Sequence, residues 1–253
     1  MLMKTPAFNA IAAALLAALS TVSSLSLAAD SVCQSRAMAA PRVIDLYTSE
    51  GCSSCPPADK WLSSLKNDKT YEGAVIQSFH VSYWDDLGWV DRFAKPEFNA
   101  RQRQIAAWQR SRSVYTPQIV NNGSDAPLRS LFGFGSKPAA PKSPAAFNVV
   151  VAGEANNSFR AEVTPANTYE AWAAYWTVTE DGHSTKVRAG ENRGESLRHD
   201  FVVRQYVTVP TQRGSAKLRF DAGPADTAHP RRVNFVVFSP ETGKPIQAVP
   251  LAC

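Results

Sequence analysis

The chain has 253 residues, with 27 Lys and Arg against 22 Asp and Glu, a net charge of +5 and a hydrophobic content of 44%. That length supports a sizeable buried core, arranged as one large domain or two small ones. So small a charge, with acids and bases interspersed, is a matter of solubility and leaves no nucleic-acid footprint.

The N-terminus reads as a leader. Met1 to Asn9 carries one charge, Lys4, and Ala10 to Leu19 is an apolar run closed by small residues, with Ser26-Leu27-Ala28 as the exit. A positive start, a short apolar middle and a small-residue exit mark a secretory signal peptide. The run is shorter than the roughly 20 residues of a spanning helix. Cleavage is expected near Ala28 or Ala29, with Ala37-Met38-Ala39 as a weaker second site. Loss of residues 1–28 removes one Lys and no acid, leaving +4. The expected location is periplasmic or secreted, with no membrane span after cleavage.

Export places Cys33, Cys52, Cys55 and Cys253 in an oxidising compartment, where an even count usually pairs. The simplest arrangement is a local Cys52–Cys55 bond and a structural Cys33–Cys253 bond between the ends of the mature chain. In the chain-entropy view so long a loop is worth about 5 kcal/mol. Two unpaired or intermolecular thiols are the alternative.

Val43 to Tyr47 is a short apolar strand ending in a polar turn at Thr48 to Gly51. The cysteine pair follows, then Pro56-Pro57, tolerated in the first turn of a helix, and Ala58, Trp61, Leu62 and Leu65 at helical spacing. Ala74 to Val81 reads as a second buried strand. A helix is predicted over 96–112, with Phe98, Ile105 and Trp108 inward and Arg101, Arg103 and Arg110 in solvent. Tyr115 to Val120 is a third strand, and Asn122-Gly123 is a hairpin signal. Strand, helix, strand, helix, strand is an α/β unit, here assigned to residues 40–132. Residues 133–146, with Pro138, Pro141 and Pro144, suit an extended linker. Residues 147–253 carry strand patterns at 147–151, 158–163, 171–179, 199–209, 217–220 and 233–238. Those patterns predict a small antiparallel β-sandwich.

A Cys-x-x-Cys pair between a buried strand and the first turn of a helix has a specific chemistry. Unpaired N–H groups and the positive end of the helix dipole stabilise a thiolate there, and the thiolate is the attacking species in disulfide exchange. Cys52, on the loop side, is the expected exposed nucleophile and Cys55 the resolving thiol. If the first two strands run parallel, their C-terminal ends bring Glu50, His80, Tyr83, Trp84 and Asp85 towards Cys52. Glu50 or His80 would then move protons. The competing reading of His80 is a hydrogen-bonded histidine at a strand end, and that of Tyr83, Trp84 and Trp89 is ordinary packing. A zinc site finds little support, because there is no second Cys-x-x-Cys and His80, His183, His199 and His229 are scattered.

The stretches Leu46 to Asp59, His80 to Trp89, Tyr115 to Gln118, Gly190 to Leu197 and Val202 to Arg204 resemble a secreted bacterial family of thioredoxin-like proteins without assigned function, domain of unknown function 1223. Ser82 departs from the family, whose members carry an acidic residue there. The resemblance implies a thioredoxin fold and a cis Pro117; a cis Thr116–Pro117 bond would place backbone beside the disulfide.

The leading reading is therefore an exported thiol–disulfide oxidoreductase acting on protein or small-molecule thiols with no cofactor. Its expected catalytic residues are Cys52, Cys55, Pro117, Glu50 and His80, and its substrate contacts Thr116, Tyr83, Trp84 and Asp85. One alternative is a copper handler using Cys52, Cys55 and His80, since soft thiolates suit Cu(I). Another is a binding module in which the disulfide is only a staple.

Overall fold

The computed structural model describes residues 1–2, 33–36, 41–126 and 147–252. The expected leader from residue 3 onward, the Ala37-Met38-Ala39 site, the Pro-rich stretch at 133–146 and Cys253 lie outside these residues. Among the described residues no helix is long and apolar enough to cross a membrane.

The expected pairing of an α/β thioredoxin-like domain with a separate β-sandwich is not what the chain builds. Of the described residues 44% are strand and 17% helix, and only two α-helices occur among them. The strands are β1 (Gln34–Arg36), β2 (Val43–Thr48), β3 (Val75–His80), β4 (Gln118–Asn121), β5 (Ser124–Ala126), β6 (Phe147–Gly153) and β7 (Ser158–Pro165). They continue as β8 (Ala171–Glu180), β9 (His183–Lys186), β10 (Ser196–His199), β11 (Val202–Arg213), β12 (Ala216–Asp221), β13 (Arg231–Phe238) and β14 (Pro245–Leu251). The helices are α1 (Pro56–Ser64) and α2 (Pro96–Trp108).

One eight-stranded sheet, in the order β14-β13-β8-β11-β3-β2-β4-β5, runs through both halves of the sequence. The seam is β11, antiparallel to β8 and parallel to β3 at Val202 and Ser78. Its Phe201 carbonyl accepts the Ser78 amide at 2.8 Å. A second sheet has the order β1-β6-β7-β12, and β9 with β10 forms a separate hairpin. Most individual strands were legible as apolar runs. Their partners were not, because strand periodicity says which face is buried and nothing about which edge is joined.

Alternation distributes the core over both sides of the large sheet. Trp172, Trp176 and Phe235 of that sheet pack against Phe147, Phe159 and Phe220 of the four-stranded sheet. Ile44, Leu46 and Ile76 meet Ala58 and Leu62 of α1. Tyr47, Phe79 and Val203 meet Phe98 and Ile105 of α2. The β4–β5 hairpin turns on Asn122 and Gly123, both with positive φ, as the Asn-Gly signal predicts. A Cβ at Gly123 would stand 3.0 Å from Lys244 Cα, so this turn also admits the loop before β14.

The solvated position expected for Arg101 is corrected by the structure. Its guanidinium is buried, donating to Asp45 Oδ2 at 2.6 Å and to the Tyr175 hydroxyl at 3.1 Å, and it stacks over Phe79 and Tyr175. Burial nevertheless pushes the Asp45 carboxyl up, against the pull of Arg101. Helical spacing leaves Arg101 on the border of the apolar stripe, and the carboxylate already buried on β2 draws it inward. Arg101→Met is expected to cost about 3–5 kcal/mol, because it strands a buried carboxylate. Urea unfolding should show most of that loss recovered in Asp45→Asn/Arg101→Met.

Candidate functional site

The parallel pairing of β2 and β3, Thr48 beside His80, brings two strand ends to one edge. Beyond β2 the chain turns through Ser49 to Cys52, where the Cys52 amide donates to the Ser49 carbonyl, and α1 begins at Pro56 with Cys55 as its N-cap. Cys52 and Cys55 form a disulfide with Cα atoms 5.4 Å apart. Both cysteines are fully buried, so the exposed nucleophile expected at Cys52 is instead covered in the oxidised chain. The hydroxyl of Ser54 lies 3.3 Å from Cys52 Sγ.

The residues predicted to gather here do so by two routes. Trp84 lies against Gly51, at 3.1 Å from where a Cβ would stand, and its Nε1 donates to Thr116 Oγ1 at 2.8 Å. It thus ties the cysteine loop to the residue before Pro117, and the Thr116–Pro117 peptide is cis. Tyr83 is turned to α2, its hydroxyl donating to Gln102 at 3.3 Å. Asp85 accepts the Asp91 amide.

Glu50 and His80 belong to a second group, wholly buried behind the disulfide. Trp89 Nε1 donates to Glu50 Oε2 at 2.9 Å, and the Glu50 amide donates to Asp91 Oδ2 at 2.8 Å. That same Asp91 oxygen holds His80 Nδ1 at 2.7 Å. His199 Nε2 lies 3.3 Å from Glu50 Oε1, close but out of hydrogen-bond alignment. Its ring sits edge-on to His80 with centroids 4.9 Å apart. On α1, Asp59 accepts from Thr48 Oγ1 at 3.1 Å and its amide donates to the Cys55 carbonyl.

The carboxyl groups separate by environment. For Glu50 burial acts upward, but the contacts with His199, Thr185 and Trp89 outweigh it and hold the group below the usual range. Asp91 is likewise buried, yet the charge and hydrogen bond of His80 and the Glu50 and Phe93 amides hold it low. Asp59 has less help. Burial, reinforced by the charges of Asp91 and Glu50, pushes its carboxyl up to about 7 against His199 and Thr48. An acid that titrates near neutrality therefore sits one helical turn from Cys55.

A third contribution comes from the far end of the sequence. The tip of the β9–β10 hairpin, residues 187–195, rests on the cysteine loop. Asn192 Nδ2 donates to the Glu50 carbonyl at 2.8 Å and the Cys52 carbonyl at 2.9 Å. Glu191 Oε2 accepts the Ser53 amide at 3.0 Å. Sequence reasoning misses Asp59, Asp91 and His199 as site residues, takes Trp89 as packing, and marks Glu191 and Asn192 only within the Gly190-to-Leu197 stretch, as a contact surface of the binding-module reading or a Gly-rich turn. Asp59 had one signal, its i+4 position from Cys55 on the helix. The long-range contacts had none beyond the Gly190-to-Leu197 stretch itself.

Among the described residues no three His, Cys, Asp or Glu groups are arranged to hold a metal ion. Cys33 places its Sγ 3.1 Å from the Ala252 carbonyl, so the segment at Cys33 meets the end of β14. The expected partner, Cys253, is outside the described residues.

The chain belongs to the family of proteins of unknown function DUF1223, whose model matches residues 43–239. Two solved structures resemble it in fold. Protein AGR_C_4864 from Agrobacterium tumefaciens has a TM-score of 0.62 at 20% identity, over 85% of this chain and 95% of its own. HBP35 of Porphyromonas gingivalis has a TM-score of 0.54 at 14% identity, over 84% and 74% of the two chains. No curated protein matches the chain.

The acid at Asp59 leaves a pH signature in stability. Its folded value of about 7 lies above the ordinary carboxylate value of 3.8, so the folded state holds this proton more tightly than the unfolded one. The associated stability is complete below about pH 4 and is lost as pH rises through 7. Glu50 and Asp91, both held low, act in the opposite sense: their stability is present at neutral pH and is lost only as pH falls below the ordinary carboxylate range. Asp59→Asn is therefore expected to gain about 1–2 kcal/mol over wild type at pH 8. The gain should vanish near pH 4 in denaturant titrations.

Proposed function

We propose that this chain is an exported thiol–disulfide oxidoreductase that exchanges its Cys52–Cys55 bond with protein or small-molecule thiols. The observation that carries the reading is the disulfide at the start of α1 with the neutral-range acid of Asp59 one turn further on. The leader-like N-terminus supports the compartment, where such bonds form and persist.

The chemistry follows from exchange at sulfur. A partner thiolate attacks Cys52 Sγ, forming the mixed disulfide. The Cys52–Cys55 bond breaks and its electron pair leaves on Cys55. Asp59, protonated for part of the population near neutral pH, supplies the proton that Cys55 takes up, and regains it when the cycle runs in reverse. A second partner thiol then displaces Cys52 and completes a two-electron reduction of the pair. Trp84 and Thr116 flank the cysteine loop on the side a partner's chain would meet, with Tyr83 and Asp85 beside them.

The full burial of both sulfurs favours a second reading, in which the bond is a staple under a binding surface. The copper reading rests on His80, whose Nδ1 is held by Asp91, and among the described residues no three His, Cys, Asp or Glu groups are arranged to hold a metal ion.

Equilibration of the chain in glutathione buffers, with the pair quantified by alkylation, separates the readings. A potential between about −270 and −120 mV is that of an exchange catalyst, and Cys55→Ser should then retain mixed disulfides on Cys52. A potential below about −300 mV is that of a resistant structural bond and would overturn the proposal.

A further inference from the structure

The hairpin tip is built to hold a particular position. Within it the Val187 amide donates to Glu195, Gly194 to Val187, Arg193 to Gly190 and Glu195 to Asn192. Gly190 and Gly194, both with positive φ, bracket the three residues at the tip. At Gly190 a Cβ would stand 3.1 Å from Trp89 Cβ, so the tip packs against the same residue that donates to Glu50. Inside this frame Asn192 is buried, spanning the carbonyls on either side of Gly51. Glu191 stays exposed, with its carboxylate on Ser53.

The chemistry of Glu191 is at odds with that of Cys52. An amide near a helix start that lacks an intrahelical acceptor favours negative charge. In the disulfide the sulfur of Cys52 is neutral, and the Glu191 carboxylate takes the Ser53 amide unopposed. In the dithiol, Cys52 ionises one residue away and draws on the same polarised region. An anion on Cys52 and the carboxylate held on the next residue's amide then repel each other.

We propose that Glu191 and Asn192 form a redox-responsive latch, closed over the disulfide and loosened when reduction places a thiolate on Cys52. Glu191 acts as a positioning residue: it favours the disulfide over the dithiol and keeps the cover on the sulfurs until the bond is opened. The coupling is reciprocal, because what the carboxylate costs the thiolate, the thiolate costs the carboxylate. The latch requires only that the bond be reducible. It does not depend on turnover of a partner.

The redox step is a two-electron exchange with a dithiol such as dithiothreitol. One reductant thiolate attacks the protein disulfide, the second displaces it, and the reductant leaves as a cyclic disulfide. The protein keeps a Cys52 thiolate and a protonated Cys55.

Hydrogen–deuterium exchange of residues 187–195 in the full chain tests this at about pH 9, where an ordinary cysteine is mostly ionised. Reduction should accelerate exchange of this segment by about threefold, the size of one exposed charge interaction at a helix start. Cys52→Ser, treated with the same reductant, should show no change on treatment, which isolates the thiolate from any other bond that is reduced. Glu191→Gln should abolish the acceleration and shift the glutathione equilibrium towards the dithiol by about threefold. Equal exchange in the oxidised and reduced wild type would overturn the latch, as would an unshifted equilibrium in Glu191→Gln. A potential below about −300 mV with redox-dependent exchange intact would remove the oxidoreductase and leave the latch standing.

Discussion

A carboxylate removed from water must be given donors, and Glu50 sets that requirement at the centre of this molecule. Its side chain has no exposure, and an ion in such a place persists only if charge and hydrogen bonds replace its hydration. The replacements come from distant parts of the chain: Trp89 from the loop between β3 and α2, and His199 from β10. To place them, β3 must run beside β2 and β11 must join β3, so that the hairpin before β11 overhangs the cysteine turn. The partnering of this carboxylate, by a hydrogen bond from Trp89 and the approach of His199, and the continuity of the sheet are two descriptions of one constraint.

The same logic operates on the opposite face of the sheet. There Asp45 is buried against Arg101, with Gln77 Nε2 donating to it at 2.8 Å and Thr177 donating to Gln77 Oε1 at 2.6 Å. This layer links α2, β2, β3 and β8, again across the two halves of the sequence. The two polar layers differ in outcome. Arg101 is a permanent charge, so the Asp45 layer carries a counter-charge that does not change with pH. The Glu50 layer contains histidines and ends at Asp59, which carries no permanent counter-charge and so remains free to exchange a proton. Permanence suits a structural joint, and titratability suits the neighbour of a thiol.

How much of this could be read in advance depends on the range of the interaction. Val43 to Tyr47, the Pro56-Pro57 helix start and the Asn122-Gly123 turn are local decisions, taken by residues within a few positions of one another. They were legible as such. So was the Cys52–Cys55 pair, three residues apart on a turn. The fold class was misread because it depends on the edge where β11 meets β3, and β11 carries no local mark of a parallel neighbour. His199 illustrates the same limit in the site. Its distance in sequence from His80 made it look unrelated, whereas the register of β10 with β9 sets its ring against His80 and Glu50. Arg101 was misplaced for the inverse reason, since a helix pattern assigns charges to solvent unless a buried partner is already known.

Burial of the disulfide then changes what the site must accomplish. A thiolate approaching Cys52 from solvent meets Trp84 on one side and the hairpin tip on the other, and neither is joined to the cysteine loop by a covalent bond. What holds the tip in place is a pair of amide–carbonyl contacts and one carboxylate on an amide, each modest in water. Asn192 bonds only to backbone carbonyls, whose charge does not change with the redox state of the pair. Glu191 faces the place where charge appears. The cover is thus anchored by one residue indifferent to the chemistry beneath it and by another sensitive to it, which is the combination a reversible cover needs.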